Sequence, residues 1–65
     1  MIHNNTIEVS GEILHDTDFA ILFTDGVTET WLPKSQIEIE PEFYDYGDNV
    51  IVSMPKWLAY QKELI

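Results

Sequence analysis

The sequence predicts a mainly β fold, one small five-stranded antiparallel barrel closed by a short C-terminal α-helix. Three observations carry that expectation. Residues 19–24 and 27–32 are β-type runs on either side of Asp25-Gly26, a strong short-range hairpin signal. Further runs before and after them alternate apolar and polar residues, the period of a half-buried strand. Trp57, Tyr60 and Leu64 then follow Pro55 at the i, i+3 and i+7 spacing of one helical face.

In chain order, residues 1–5 read as a frayed end or a short lead-in. From Thr6 onward Ile7, Val9 and Ile13 point one way and Glu8, Ser10 and Glu12 the other. Gly11 takes an inward slot, where a strand bends or a second backbone comes close. One long strand bent there can serve two edges. His15-Asp16-Thr17-Asp18 is a polar turn into the hairpin.

A type I′ turn needs positive φ at both central residues, which Asp25 and Gly26 tolerate. That turn sets Thr24 opposite Val27, Ala20 opposite Trp31 and Phe19 opposite Leu32. Phe19, Ile21, Phe23 and Leu32 then share the core face. Ala20, Leu22 and Trp31 share the other face with Glu29, apolar at its open end.

Pro33 removes a backbone donor, so Pro33-Lys34-Ser35 reads as a turn or one 3₁₀ turn. Residues 36–40 resume a strand with Ile37 and Ile39 inward and Glu38 and Glu40 outward. Residues 41–49 form a loop, expected across one barrel mouth, and residues 50–54 a last strand. The helix is expected over residues 55–64, with Pro55 where its missing N–H costs nothing. So short a helix must dock to persist. Trp31 and Trp57 are expected to pack together as the helix-to-sheet joint, the alternative being an exposed recognition patch. The whole chain, residues 1–65, then makes a single, partly open barrel of SH3-like or OB-like type, an architecture that hides strand edges; the alternative is a twisted sheet with the helix packed across it.

Charge narrows the function classes. Twelve Asp and Glu face three Lys and no Arg, a formal net charge of −9. Nucleic-acid backbones are bound largely through Lys and Arg, so direct nucleic-acid binding is not the expected role. An acidic domain suits a basic protein surface. The chain has no cysteine, which removes disulfides and thiolate chemistry and fits a cytosolic setting. Neither a membrane span nor a signal peptide is expected from the hydropathy pattern.

Trp31-Leu32-Pro33-Lys34-Ser35-Gln36, followed by Met54-Pro55-Lys56-Trp57-Leu58-Ala59, resembles a group of short phage and prophage-type proteins. Those share a similar strand end and a later Pro-x-Trp-Leu helix. The resemblance implies the same small β fold, and a host-cell cytoplasm as the place of action. A looser likeness is to SH3 domains, whose Trp-x-Pro-x-x-Tyr segment Trp31, Pro33 and Gln36 would occupy. Gln36 stands where that pattern has Tyr, so proline-rich peptides are not the expected ligands.

The side chains that carry chemistry are few. His3, His15 and Asp16 lack the ligand spacing of a metal site, and Asp16-Thr17-Asp18 lacks the later ligands and glycine of a calcium loop. No nucleophile triad, P-loop or dinucleotide fingerprint is present. No enzymatic activity, metal or cofactor is therefore expected. The best functional candidate is the run holding Glu38, Glu40, Glu42, Tyr44, Asp45, Tyr46 and Asp48. Its carboxylates can imitate phosphates toward a basic surface, with the tyrosines adding contact area. The expected function is that of an acidic interaction protein, a host inhibitor or DNA mimic, that engages a basic protein. Two alternatives are a single-stranded nucleic-acid-binding barrel using Lys34, Lys56 and Lys62, and a subunit that self-associates through the Trp31 face.

Overall fold

In the computed structural model, which describes residues 5–65, the first strand is the longest element. β1, Thr6–Asp16, uses each half for a different neighbour. From Thr6 to Glu12 it pairs with β5, Asn49–Pro55, and from Glu12 to Asp16 with β2, Ala20–Thr24. Gly11 sits at the changeover. A Cβ there would lie 2.1 Å from the Thr24 carbonyl oxygen and 2.6 Å from the Phe23 ring, so only glycine admits this approach. The expectation of one strand serving two edges holds.

β3 is Glu29–Pro33 and β4 is Glu38–Glu40, with a 3₁₀ turn, Lys34–Gln36, between them. All five strands form one antiparallel sheet in the order β3-β2-β1-β5-β4. The end strands β3 and β4 are thus consecutive in the chain. A short helix, α1 (Lys56–Gln61), packs against β5 and β1.

The hairpin register differs from the sequence expectation by two residues. Ile21 faces Leu32, Leu22 faces Trp31 and Ala20 faces Pro33. The cause is Asp25, which caps the turn instead of sitting at its centre. Its Oδ1 accepts the Val27 and Thr28 N–H groups at 2.9 and 2.8 Å, a preferred Asx arrangement. Gly26 alone takes positive φ there, at 100°, and Val27 stands 93% exposed beside it. A slip of two keeps every side chain on its face. Ile21, Phe23 and Leu32 are accordingly buried as expected, but Phe19 falls outside the strand and is 84% exposed.

An irregularity between Ile13 and His15 inserts Leu14 as an extra residue in β1. It reverses the alternation. His15 comes to lie opposite Leu22 on the outer face, and Asp16 opposite the buried Ile21. Of the segment expected as a turn, His15 and Asp16 end the strand, while Thr17 and Asp18 do turn into β2, with the Thr17 N–H donating to the Ala20 carbonyl at 2.9 Å.

The core joins Ile13, Ile21, Phe23 and Leu32 to Val50, Val52 and Met54 of β5, and Leu58, Ala59 and Leu64 from the helical end cover it. No polar side chain among the described residues is buried. The helix is shorter than expected and turns a different face inward. Pro55 is its N-cap, and it stops at a left-handed residue, Glu63, with φ 61°. The Leu64 N–H donates to the Ala59 carbonyl at 2.8 Å and the Glu63 N–H to the Tyr60 carbonyl at 3.1 Å, a Schellman closure. This folds Leu64 back onto the core from beyond the helix. Trp57 and Tyr60 point outward instead, 57% and 62% exposed. The expected Trp31–Trp57 joint is replaced by Leu58, Ala59 and Leu64. The lead-in expected over residues 1–5 lies outside the described residues except Asn5, whose carbonyl accepts the Lys56 N–H at 2.6 Å.

Candidate functional site: an acidic sheet face and its loop

The strand registers gather carboxylates that are far apart in sequence. Glu8 of β1 and Glu38 of β4 are both partners of Ser53 in β5, one on each side. One position along, Ser10 and Glu40 flank Ile51, and beyond them Glu12 lies beside Asn49. Adjacent strands lie about 4.8 Å apart, so Glu8 and Glu38 stand about 10 Å apart across β5. All of Glu8, Glu12, Glu38 and Glu40 are exposed. The inward partners in the same ladders, Val50, Val52 and Met54, are buried, so the two faces of this half-sheet separate cleanly.

The loop after β4 carries further carboxylates. Glu42, Asp45 and Asp48 are exposed. The turn carrying them is closed by Asp48, whose N–H donates to the Asp45 carbonyl at 3.1 Å and whose Oδ2 accepts the Asp45 N–H at 3.0 Å. Gly47, at φ 89°, supplies the left-handed residue that the turn requires. Phe43 is 86% exposed and Tyr46 63%, and neither has a core position.

Tyr44 behaves differently from the rest of the predicted set. Its hydroxyl donates to the Asp16 carboxylate at 2.7 Å and its ring packs against the core. Lys34 forms an ion pair with the same carboxylate. Burial, and then the Asp16 hydrogen bond, push the Tyr44 hydroxyl up to about 12. The Lys34 and Tyr44 hydrogen bonds hold Asp16 below the ordinary carboxylate range. Tyr44 thus anchors the loop, and Lys34 is paired within the molecule. Sequence reasoning missed this trio because the Leu14 irregularity turns Asp16 toward it. It also left out Glu8 and Glu12, which the alternation had set outward and only the pairing through β5 brings beside Glu38 and Glu40.

On the far side of the outer face, the Trp31 ring stacks on His15, centroids 6.4 Å apart and planes at 21°. Both flank Leu22. Pro33, the remaining residue expected to be structural, pairs with Ala20 and leads into the 3₁₀ turn. No three His, Asp or Glu side chains among the described residues converge as metal ligands, and His3 lies outside the described residues. A surface groove of about 660 Å³ runs past Gly11 between Glu12, Thr24 and Asn49. A smaller one of about 340 Å³ lies between Thr6, Gln36 and Pro55. No helix among the described residues is long and apolar enough to cross a membrane.

Comparison with protein-family models, curated proteins and solved structures gives no match for this chain.

Proposed function

We propose that this chain is a non-enzymatic binding protein whose acidic sheet face, continued by the loop over residues 41–48, engages a basic surface on another protein. One observation carries the reading. The sheet register sets Glu8, Glu12, Glu38 and Glu40 together on the outward side of β1-β5-β4, next to a loop with three more exposed carboxylates and two exposed aromatics. Solvated charge needs no exposed Phe43 or Tyr46, whereas a contact surface gains from large aromatics beside steering charge.

The change of partner strand at Gly11, with two end strands joined by one 3₁₀ turn, favours a sheet curled as an SH3-like or OB-like barrel. The likeness at residues 31–36 and 54–59 to phage and prophage-type proteins fits a host protein as the partner. The nucleic-acid alternative loses Lys34 to its ion pair with Asp16, which leaves it Lys56 and Lys62. The self-association alternative keeps one support, the half-exposed Trp31 on a face the helix does not cover.

The test is association with an immobilised lysine-rich protein, read as on-rate against ionic strength. Reversing Glu40, Glu42 and Asp45 to lysine slows association by about tenfold and flattens the salt dependence. Reversing Asp18, Glu29 and Glu63 instead changes the net charge equally and leaves the rate close to wild type. Equal losses from both triple variants would leave only non-specific attraction.

A further inference from the structure

We infer that the free edge of β4 is a docking site for an extended basic strand, so that the partner adds itself to the sheet beside Glu38, Ile39 and Glu40. This deepens the acidic-face reading and rests on it. β4 ends the sheet order, so its side away from β5 carries no strand of this chain among the described residues. An end strand presents N–H and C=O groups that an incoming strand can pair, the basis of recognition by strand addition.

The side chains decide which strand is admitted. Glu38 and Glu40 are exposed and outward, and Ile39 between them packs against the core. A second copy pairing antiparallel about Ile39 would set Glu38 against Glu40 twice over, and like charges directly opposite repel. A strand alternating Lys or Arg with an apolar residue places its cations beside Glu38 and Glu40 and its apolar side chain next to Ile39. Glu8, one strand beyond Ser53, adds to the same field. The contact is short, because β4 is three residues long and Pro41 offers no N–H beyond it. Charge matching therefore decides the occupant, and a basic alternating strand is the one that matches.

The probe is a blocked five-residue peptide alternating lysine and valine, compared with the same residues in the order lysine-lysine-lysine-valine-valine and with an alternating peptide N-methylated at its valines. All are titrated into the full chain at low salt, with amide hydrogen exchange followed residue by residue. The alternating peptide is expected to bind at least about fivefold more tightly than the other two and to slow exchange in β4. Glu38→Lys with Glu40→Lys, checked for folding by circular dichroism, removes that preference. Equal binding of the three peptides with no slowing in β4 overturns the edge site and leaves the acidic face standing. No binding of any of them at low salt overturns both. Sedimentation that shows a dimer whose β4 amides are protected overturns the basic occupant in favour of a second copy.

Discussion

The Tyr44 hydroxyl donates a 2.7 Å hydrogen bond to Asp16, 28 positions away in the chain. It spans far more of the sequence than the side-chain hydrogen bonds within the turns, and it fastens the acidic loop to the end of β1. Tyr44 stays protonated in the folded chain up to about 12, against an ordinary value of 10.0. An unfolded tyrosine gives up its proton first, so stability is fully present below pH 10 and is lost as pH rises toward 12. Denaturant midpoints measured across that window should fall with pH. Tyr44→Phe should lower the stability at neutral pH by about 1 kcal/mol and shrink the alkaline loss.

Asp16 gives the opposite limb. Its carboxyl is held below its ordinary value of 3.8 by Lys34 first and Tyr44 second. A depressed carboxylate contributes stability above the unfolded value and loses it as pH falls through the folded one. Asp16→Asn should therefore cost about 1 kcal/mol at pH 7 and flatten the acid limb. Because the ion pair is partly exposed, added salt should narrow the difference between wild type and Asp16→Asn at pH 7. Urea titrations from acid pH up to pH 7, with and without added salt, check both points.

Gly11→Ala is expected to be severe. The new methyl group would meet the Thr24 carbonyl oxygen at 2.1 Å, and a backbone carbonyl in a ladder cannot step aside as a side chain can. A cost of about 3 kcal/mol or more would consume most of what so small a core supplies. Circular dichroism of the variant at room temperature should show a largely unfolded chain.

Glu63→Gly should do the reverse. Glu63 occupies the left-handed C′ position of the Schellman closure at φ 61°, where a side chain is strained, and it is exposed. Relieving that strain, less the entropy glycine adds to the unfolded chain, should stabilise by about 0.5–1 kcal/mol. Thermal unfolding checks it as a rise of several degrees.

Much of the fold was legible in residue patterns, because period-two alternation survives errors of register. The inward set Ile13, Ile21, Phe23 and Leu32 follows from alternation alone, and Gly11 announced the close approach. What stayed hidden depends on single side chains acting on the backbone. Asp25 moves the turn by capping it, Leu14 re-aims His15 and Asp16, and Glu63 ends the helix before Leu64. Each event overrides a periodicity that assumes an uninterrupted element. The acidic site was legible in part for the same reason. Glu38 to Asp48 are contiguous in sequence, but Glu8 and Glu12 join them only through β5.

In the proposed function the outward face of β1-β5-β4 makes the contact. Amide chemical-shift mapping with a lysine-rich protein fragment tests it most directly. Contact through this face puts the shifts at Glu8, Ser10, Glu38, Glu40, Ile51 and Ser53 and in the loop around Tyr46. Shifts centred on Trp31 and His15, or on Lys56 and Trp57, would contradict it.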